Sequence, residues 1–480
     1  MTANSRLCLL VLAAASAAAQ DSLFVESAEC SLCHTRLGEK SQLGQYTLWK
    51  GSVMAHAGRD PYWQAKTAEE IKQNPAIAKV VEEKCHRCHT PQRKPQANDG
   101  VGCTACHLIE DKGLGTPASF TGGLEINKEH LAYGPHKDAF VNPMIMHVGL
   151  TPAYGAHMQK SELCATCHTV ITPTVDASGK VLGEFIEQAA YLEWKASSFG
   201  SGDMTCQSCH VPLADNPKQH YIAHNPMGRT FPPTSPRQPF GIHRFAGANF
   251  SLPVLLGSAD SSMAERAHDM LSSATAIEVK PAWKDGVLEA SVTLTNLTGH
   301  KLPTGFPSRR MWLDFEVLDA SGKTVFRSGG EPQEPQLHHA VIDSSSKVQI
   351  YESEMADPAG RPTTALLRAA SYLKDNRILP DGFDAAKAPA GIHPAGVAGD
   401  ADFLPGSDTT LYRVAGLAPG SYTIRVRALY ENIKPSHRGV LSPAQVKALA
   451  ALAPVVLAEA TAQTVRGVTA QKIQRSLASR

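Results

Sequence analysis

Cys30-Ser31-Leu32-Cys33-His34 is the first of five stretches in this chain with one spelling, two cysteines around two residues and then a histidine. The spelling returns at Cys85, Cys88 and His89, at Cys103, Cys106 and His107, at Cys164, Cys167 and His168, and at Cys206, Cys209 and His210. The spacing is that of covalent haem c attachment. Two thiols three residues apart add to the two vinyl groups of one porphyrin, and the histidine next to the second thiol is carried beneath the iron as proximal ligand. The competing chemistries are a zinc site and a redox dithiol. Zinc sites pair one CxxC with another, or with a spaced pair of histidines. A redox dithiol has no use for a fixed histidine directly after it. Five copies of the full pentad therefore point to five haems c, held by ten thioethers and five proximal histidines.

Cysteine counting agrees. Of eleven cysteines, ten lie in the motifs and the eleventh, Cys8, sits in the N-terminal apolar run. An exported chain of this size ordinarily carries disulfides; here every cysteine after the leader is spoken for by haem. Residues 1–19 read as a cleaved signal peptide, with Arg6 as the positive region, an apolar core over 7–15 and Ala17-Ala18-Ala19 as the cleavage site. The apolar run is shorter than the roughly 20 residues that span a bilayer, so no transmembrane segment is expected. Export to the periplasm or beyond also suits haem c, which is attached outside the cytoplasmic membrane. Without Arg6 the chain carries 45 Lys+Arg against 45 Asp+Glu. Five haems add about ten propionates, so the loaded protein is acidic and no nucleic-acid partner is implied.

Reactivity depends on the opposite face of each iron. Fifteen histidines remain outside the motifs, most of them before residue 301. That is enough for every haem to take a second histidine. His56 ends a helical stretch that contains Trp49 and Ser52, His147 lies in Met144-Ile145-Met146-His147, and His243 precedes Phe245-Ala246-Gly247. His300 sits in the turn-like Thr298-Gly299-His300-Lys301-Leu302-Pro303. Methionine is the other common axial ligand, with Met144, Met146, Met158 and Met227 in range of the motifs.

The elements that must position these residues fall into a multidomain chain. Residues 20–272 hold all five motifs and are rich in Pro, Gly, Lys and His, with short helices expected over 46–56, 67–84 and 185–198. This mostly α and irregular domain has little side-chain core of its own, and five porphyrins would take that role. An internal repeat runs through it: Tyr46, Trp49, Lys50 and Ser52 recur as Tyr191, Trp194, Lys195 and Ser197, but the position of His56 is Ser201 in the second copy. Residues 273–440 change character. Strands are expected over 277–279, 287–294, 312–318, 324–326, 410–414 and 422–430, with long loops over 331–409, as in a β-sandwich. Ser442-Pro443 opens a helix expected to run to about residue 464, within a final unit, 441–480, that ends in a basic tail.

The segments Val101-Gly102-Cys103, Tyr133-Gly134-Pro135, Ser161-Glu162-Leu163-Cys164 and Glu193-Trp194-Lys195 resemble the multihaem cytochrome c family of the tetrahaem cytochrome that accepts electrons from hydroxylamine oxidoreductase. The stretches 205–212, 243–249 and 299–305 share the likeness, which covers about 30–330. The resemblance implies closely packed haems that relay electrons, with a C-terminal β domain added. It also implies His56, His147, His243 and His300 as distal ligands. For the fifth, His157 is chosen over His136, His130 and His224.

The functional expectations are three. The first is an exported pentahaem electron-transfer protein, mostly bis-histidine, serving redox partner proteins. The second is a haem-based oxidoreductase of a small nitrogen or sulfur compound at one five-coordinate haem; no proximal lysine and no acid–base constellation accompanies it. The third, compatible with the first, makes the β-sandwich a surface for docking or self-association.

Overall fold

The computed structural model describes residues 23–35, 43–92, 99–215, 220–231, 234–332 and 334–467. The leader expected over 1–19, with Arg6 and Cys8, and the basic tail beyond 467 lie outside the described residues.

The N-terminal half is a set of short helices: α1 (Ser27–His34), α2 (Gln45–Lys50), α3 (Val53–His56), α4 (Pro61–Gln73), α5 (Ala78–His89) and α6 (Cys103–His107). α7 (Asn142–Val148), α8 (Ser161–His168), α9 (Ala190–Lys195), α10 (Cys206–His210), α11 (Leu252–Leu255) and α12 (Ser262–Ser272) complete it. Two small sheets punctuate them, β1 (Leu131–Gly134) parallel to β2 (Thr151–Tyr154) and β3 (Val170–Val175) antiparallel to β4 (Val181–Gln188). The expected helices are cut shorter than their apolar patterns suggest. Ser52 breaks the first, its hydroxyl accepting from the Ala55 N–H to cap α3. Pro75 divides the second, because the residue before a proline is pushed out of helical geometry. The third is half strand: Phe185 and Glu187 alternate inward on β4, and helix begins only at Ala190.

The C-terminal half is the expected β-sandwich. One sheet runs β11 (Ser371–Asp375), β10 (Ile350–Ala356), β7 (Arg310–Asp319), β13 (Gly420–Glu431), β14 (Val455–Arg466), with β8 (Thr324–Ser328) also on β7. The other runs β5 (Thr275–Lys284), β6 (Val287–Asn296), β12 (Ser407–Val414), β9 (Val341–Ile342). Strict alternation builds the core: Leu288, Ala290, Val292 and Leu294 from β6 and Met311, Leu313, Phe315 and Val317 from β7 are all fully buried. Phe315 and Tyr412 stack between the sheets with ring centroids 3.8 Å apart.

The expected long C-terminal helix divides in two. Helix α13 (Pro443–Ala450) is closed into a capping box by Ser442 and Gln445, but 455–466 is strand β14, paired along β13. Pro454 ends the helical pattern, and Val455 and Leu457 then alternate inward to complete the core. The pairing edge of β13 outweighs the helix propensity of an alanine-rich segment.

Candidate haem-binding site

All five motifs are helical, and each helix ends on its motif histidine: α1 on His34, α5 on His89, α6 on His107, α8 on His168, α10 on His210. Helical spacing puts cysteines three apart, and a histidine one further on, along one face. The five faces converge. One cavity of about 1570 Å³ is lined by all ten motif cysteines and all five motif histidines. That exceeds the roughly 300–1,000 Å³ of an ordinary small-molecule site. The ten cysteines are all unpaired by disulfides.

The motif histidines are prepared as ligands. The Nδ1–H of His34 donates to Ile222 O at 3.0 Å, that of His107 to Tyr133 O at 2.6 Å, and that of His210 to Ala246 O at 2.7 Å. His89 Nδ1 faces Ala57 O at 3.4 Å. A carbonyl acceptor fixes the tautomer, leaving the Nε2 lone pair for a metal and raising its basicity. Burial disfavours the charged ring at four of them, lowering His34 and His107 and taking His89 and His168 down to about 4. The residues fit the group that the motifs imply.

The motif helices are packed in a duplicated pattern. The buried Ser27, at the start of α1, accepts a hydrogen bond from Cys103 N at 3.0 Å, and the buried Ser161, at the start of α8, accepts one from Cys206 N at 3.0 Å. Trp49 Nε1 donates to Val101 O at 2.8 Å and Trp194 Nε1 to Met204 O at 2.9 Å. Val101 and Met204 each stand two residues before a motif. The repeat seen in the sequence thus has one task in both copies: its tryptophan fastens the approach to a motif, and a serine three residues before the partner motif's first cysteine holds that motif's N-terminus. Sequence reasoning misses these serines; their one signal is the shared offset of Ser27 from Cys30 and of Ser161 from Cys164. Thiol neighbours follow the same plan, Cys30 against Cys103 and Cys164 against Cys206.

The distal candidates differ. His243 lies opposite His107, with ring centroids 6.4 Å apart and planes 10° from parallel, and its Nδ1–H donates to Gly241 O at 2.9 Å. Two imidazoles bound end-on through one metal, at about 2 Å per bond, have centroids roughly 6 Å apart. His300 lines the cavity, its Nδ1–H donating to Lys301 O at 3.0 Å. His147 also lines it, with Nε2 3.2 Å from Glu29 O and 3.4 Å from the Glu29 carboxylate. His56 is half-buried beside Arg59, whose guanidinium donates to its Nδ1. His157 is packed in the core, its Nε2–H donating to Ile109 O at 2.8 Å and its ring edge-on to Tyr133.

His300 belongs to the sandwich, on the loop between β6 and β7, and a buried charge cluster seats it. Glu193 of α9 accepts from Lys301 N (3.1 Å) and Thr304 Oγ1 (2.6 Å) and pairs with Arg377 at 3.0 Å. Lys301 Nζ and Arg377 both donate to Asp375, at 2.6 and 2.7 Å. Glu193, Lys301 and Asp375 are fully buried and Arg377 nearly so. Burial opposes ionisation of Asp375, but Arg377 and Lys301 outweigh it and hold the carboxyl at about 2. Gly299 permits the close fit: a Cβ there would lie 3.1 Å from Trp194 Cδ1.

Residues 77–231, about a third of the chain, match the family described as outer membrane cytochrome MtrC/MtrF-like, domains II/IV. The fold is similar to that of a pentahaem cytochrome c552 from Thermochromatium tepidum, with a TM-score of 0.55 and 17% identity over 92% of this chain and 100% of that one. No curated protein sequence matches. The family match supports a multihaem cytochrome segment over 77–231, and the structural likeness supports the fold. No described helix is long and apolar enough to cross a membrane.

Proposed function

We propose that this chain is an exported pentahaem c-type cytochrome that transfers electrons between redox partner proteins. The convergence of five attachment helices on one cavity carries the reading. Bound haem supplies reversible one-electron exchange at its iron. The chain's own work is to hold and tune: paired thiols anchor and the motif histidines ligate, those of His34, His107 and His210 with Nδ1–H committed to backbone carbonyls. Neutral histidine on the distal side leaves no place for a substrate. His243 opposite His107 is the best-supported pair, His300 is next, and His56 and His147 complete the set that the resemblance to the tetrahaem cytochrome implies. The sandwich then acts as a ligand donor clamped onto the haem half, with its outer surface left for docking.

A second reading, a haem-based oxidoreductase, is favoured by one observation. Beside the second motif the cavity wall carries Lys66, Glu70 and Glu187, all buried, and burial raises the Glu187 carboxyl above its ordinary range. A buried carboxyl there suits proton delivery.

Mass spectrometry of the mature protein is expected to show five haems of added mass, and reductive titration five electrons per chain. Electron paramagnetic resonance of the ferric protein separates the readings. A low-spin signal from all irons fits the relay; a stoichiometric high-spin signal sinks it in favour of the enzyme.

A further inference from the structure

We infer that His136 is an axial ligand of one of the haems and takes the place expected for His157. The inference rests on the pentahaem reading above.

The Nε2 of His136 is buried and has no hydrogen-bond partner in the protein, although its ring lies in the wall of the cavity shared by the motifs. A buried nitrogen left unpaired is destabilising, and such an atom in a native site calls for a missing partner. The cavity offers one. An unpaired imidazole nitrogen on a residue that lines a space proposed to hold haem has the chemistry of an iron ligand.

The backbone around His136 is held as a ligand's should be. Pro135 precedes it, and β1 precedes that; the carbonyl of Tyr133, on β1, takes the Nδ1–H of the third-motif histidine, His107. On the other side Arg237 grips Asp138 twice, through the carboxylate at 2.5 Å and the backbone carbonyl at 2.8 Å. The same arginine's N–H bonds His220 O, in the segment whose Ile222 carbonyl holds His34. His136 is therefore fixed between strands of chain that orient the proximal histidines of the first and third motifs. His243 already faces His107, so His136 serves an iron other than the third.

His157 lacks these features. Its Nε2 is spent on Ile109 O, and its other edge abuts Gly155, where a Cβ would come within 3.0 Å of Nδ1. Its ring does not line the cavity.

The test uses the full haem-loaded protein and three variants, read against the unsubstituted protein. His136→Ala is expected to convert one iron in five from low to high spin by electron paramagnetic resonance. His136→Met is expected to keep that iron low-spin, lift its potential, and add the far-red charge-transfer band of methionine-ligated ferric haem. His157→Ala is expected to leave every iron's spin state unchanged. Should His136→Ala fail to load five haems, the methionine variant decides: a band equivalent to one haem supports the inference, and a five-haem His136→Met protein without it overturns it. Five loaded haems with unaltered low-spin intensity in His136→Ala also overturn it. Fewer than five haems in the unsubstituted protein is a separate result, against the pentahaem reading itself.

Discussion

The two halves of this chain solve the problem of an interior in opposite ways. The sandwich closes on apolar side chains: one cluster runs through both sheets to Leu457, with Phe250, Ala267 and Leu271 added from the end of the first half, and most of its members are fully buried. The motif half has only small clusters, such as Leu108, Ile109 and Leu150 or Phe120, Ala165 and Tyr191, set around a large cavity. A packed core stabilises by burying apolar surface. A cavity has no atoms to contact on its empty side and forfeits that stabilisation. On the proposed reading the first half takes its interior from what it binds, while the second is a packed scaffold that meets it through the His300 loop and through 366–381, where Leu366 N–H donates to Glu70 and the Tyr372 hydroxyl to Ile186 O.

Withholding haem tests that contrast hardest. Replacing all ten motif cysteines with serine is expected to abolish stable structure over residues 23–249, while residues 250–467 made alone, which keep Phe250 and Leu271 in the core, melt as one cooperative unit. Circular dichroism and amide exchange report both; a folded haem-free first half would end the distinction. Next in size, Phe315→Ala removes a ring stacked between the sheets and is expected to cost about 3–5 kcal/mol. The loss should appear as a lower melting temperature of the sandwich with an unaltered haem spectrum. Asp375→Asn strikes where the halves meet. It leaves Lys301 and Arg377 buried without their shared carboxylate, which costs about 3–5 kcal/mol. Unlike Phe315→Ala, it should also perturb the spectrum of the haem nearest His300.

Acid tests the same junction more gently. Asp375 is held at about 2, below its ordinary value, so its contribution is complete above about pH 4 and is lost as pH falls towards 2. A lowering of that size is worth about 2 kcal/mol, seen as a sandwich that detaches from the haem half in acid before it unfolds. The smallest expected effect comes from the duplicated serines. Ser27→Ala and Ser161→Ala each orphan a motif N–H at about 1–3 kcal/mol, and should loosen the pairs 30/103 and 164/206 respectively. Equal losses would support one duplicated unit; a silent Ser161→Ala would divide the two copies.

Much of the site is legible in the amino-acid sequence. Covalent chemistry is local: CxxCH needs one turn of helix, so the ten thiols and five histidines proposed to hold haem are named by spelling, and the structure brings them to one cavity. Strand alternation is local too, and the sandwich follows from it. Helix ends are less legible, because Ser52 and Pro75 cut patterns that look continuous. The alanine-rich stretch after Pro454 becomes strand only because the edge of β13 is there to pair with it.

Spelling alone thus carries the proposal of how many haems the chain attaches and through which atoms, and it shows that the two halves differ in kind. Which side chains stand opposite the motifs is a property of the tertiary structure. The proposed distal histidines His243, His300 and His136 come from a loop, the sandwich and the end of a two-stranded sheet, and in sequence they resemble His157, which is packed away against Ile109 and Tyr133. A distal position is defined by where Nε2 points in a shared cavity. That depends on contacts between residues far apart in the chain, such as Glu193 with Lys301 or Arg237 with Asp138, and no local pattern encodes them.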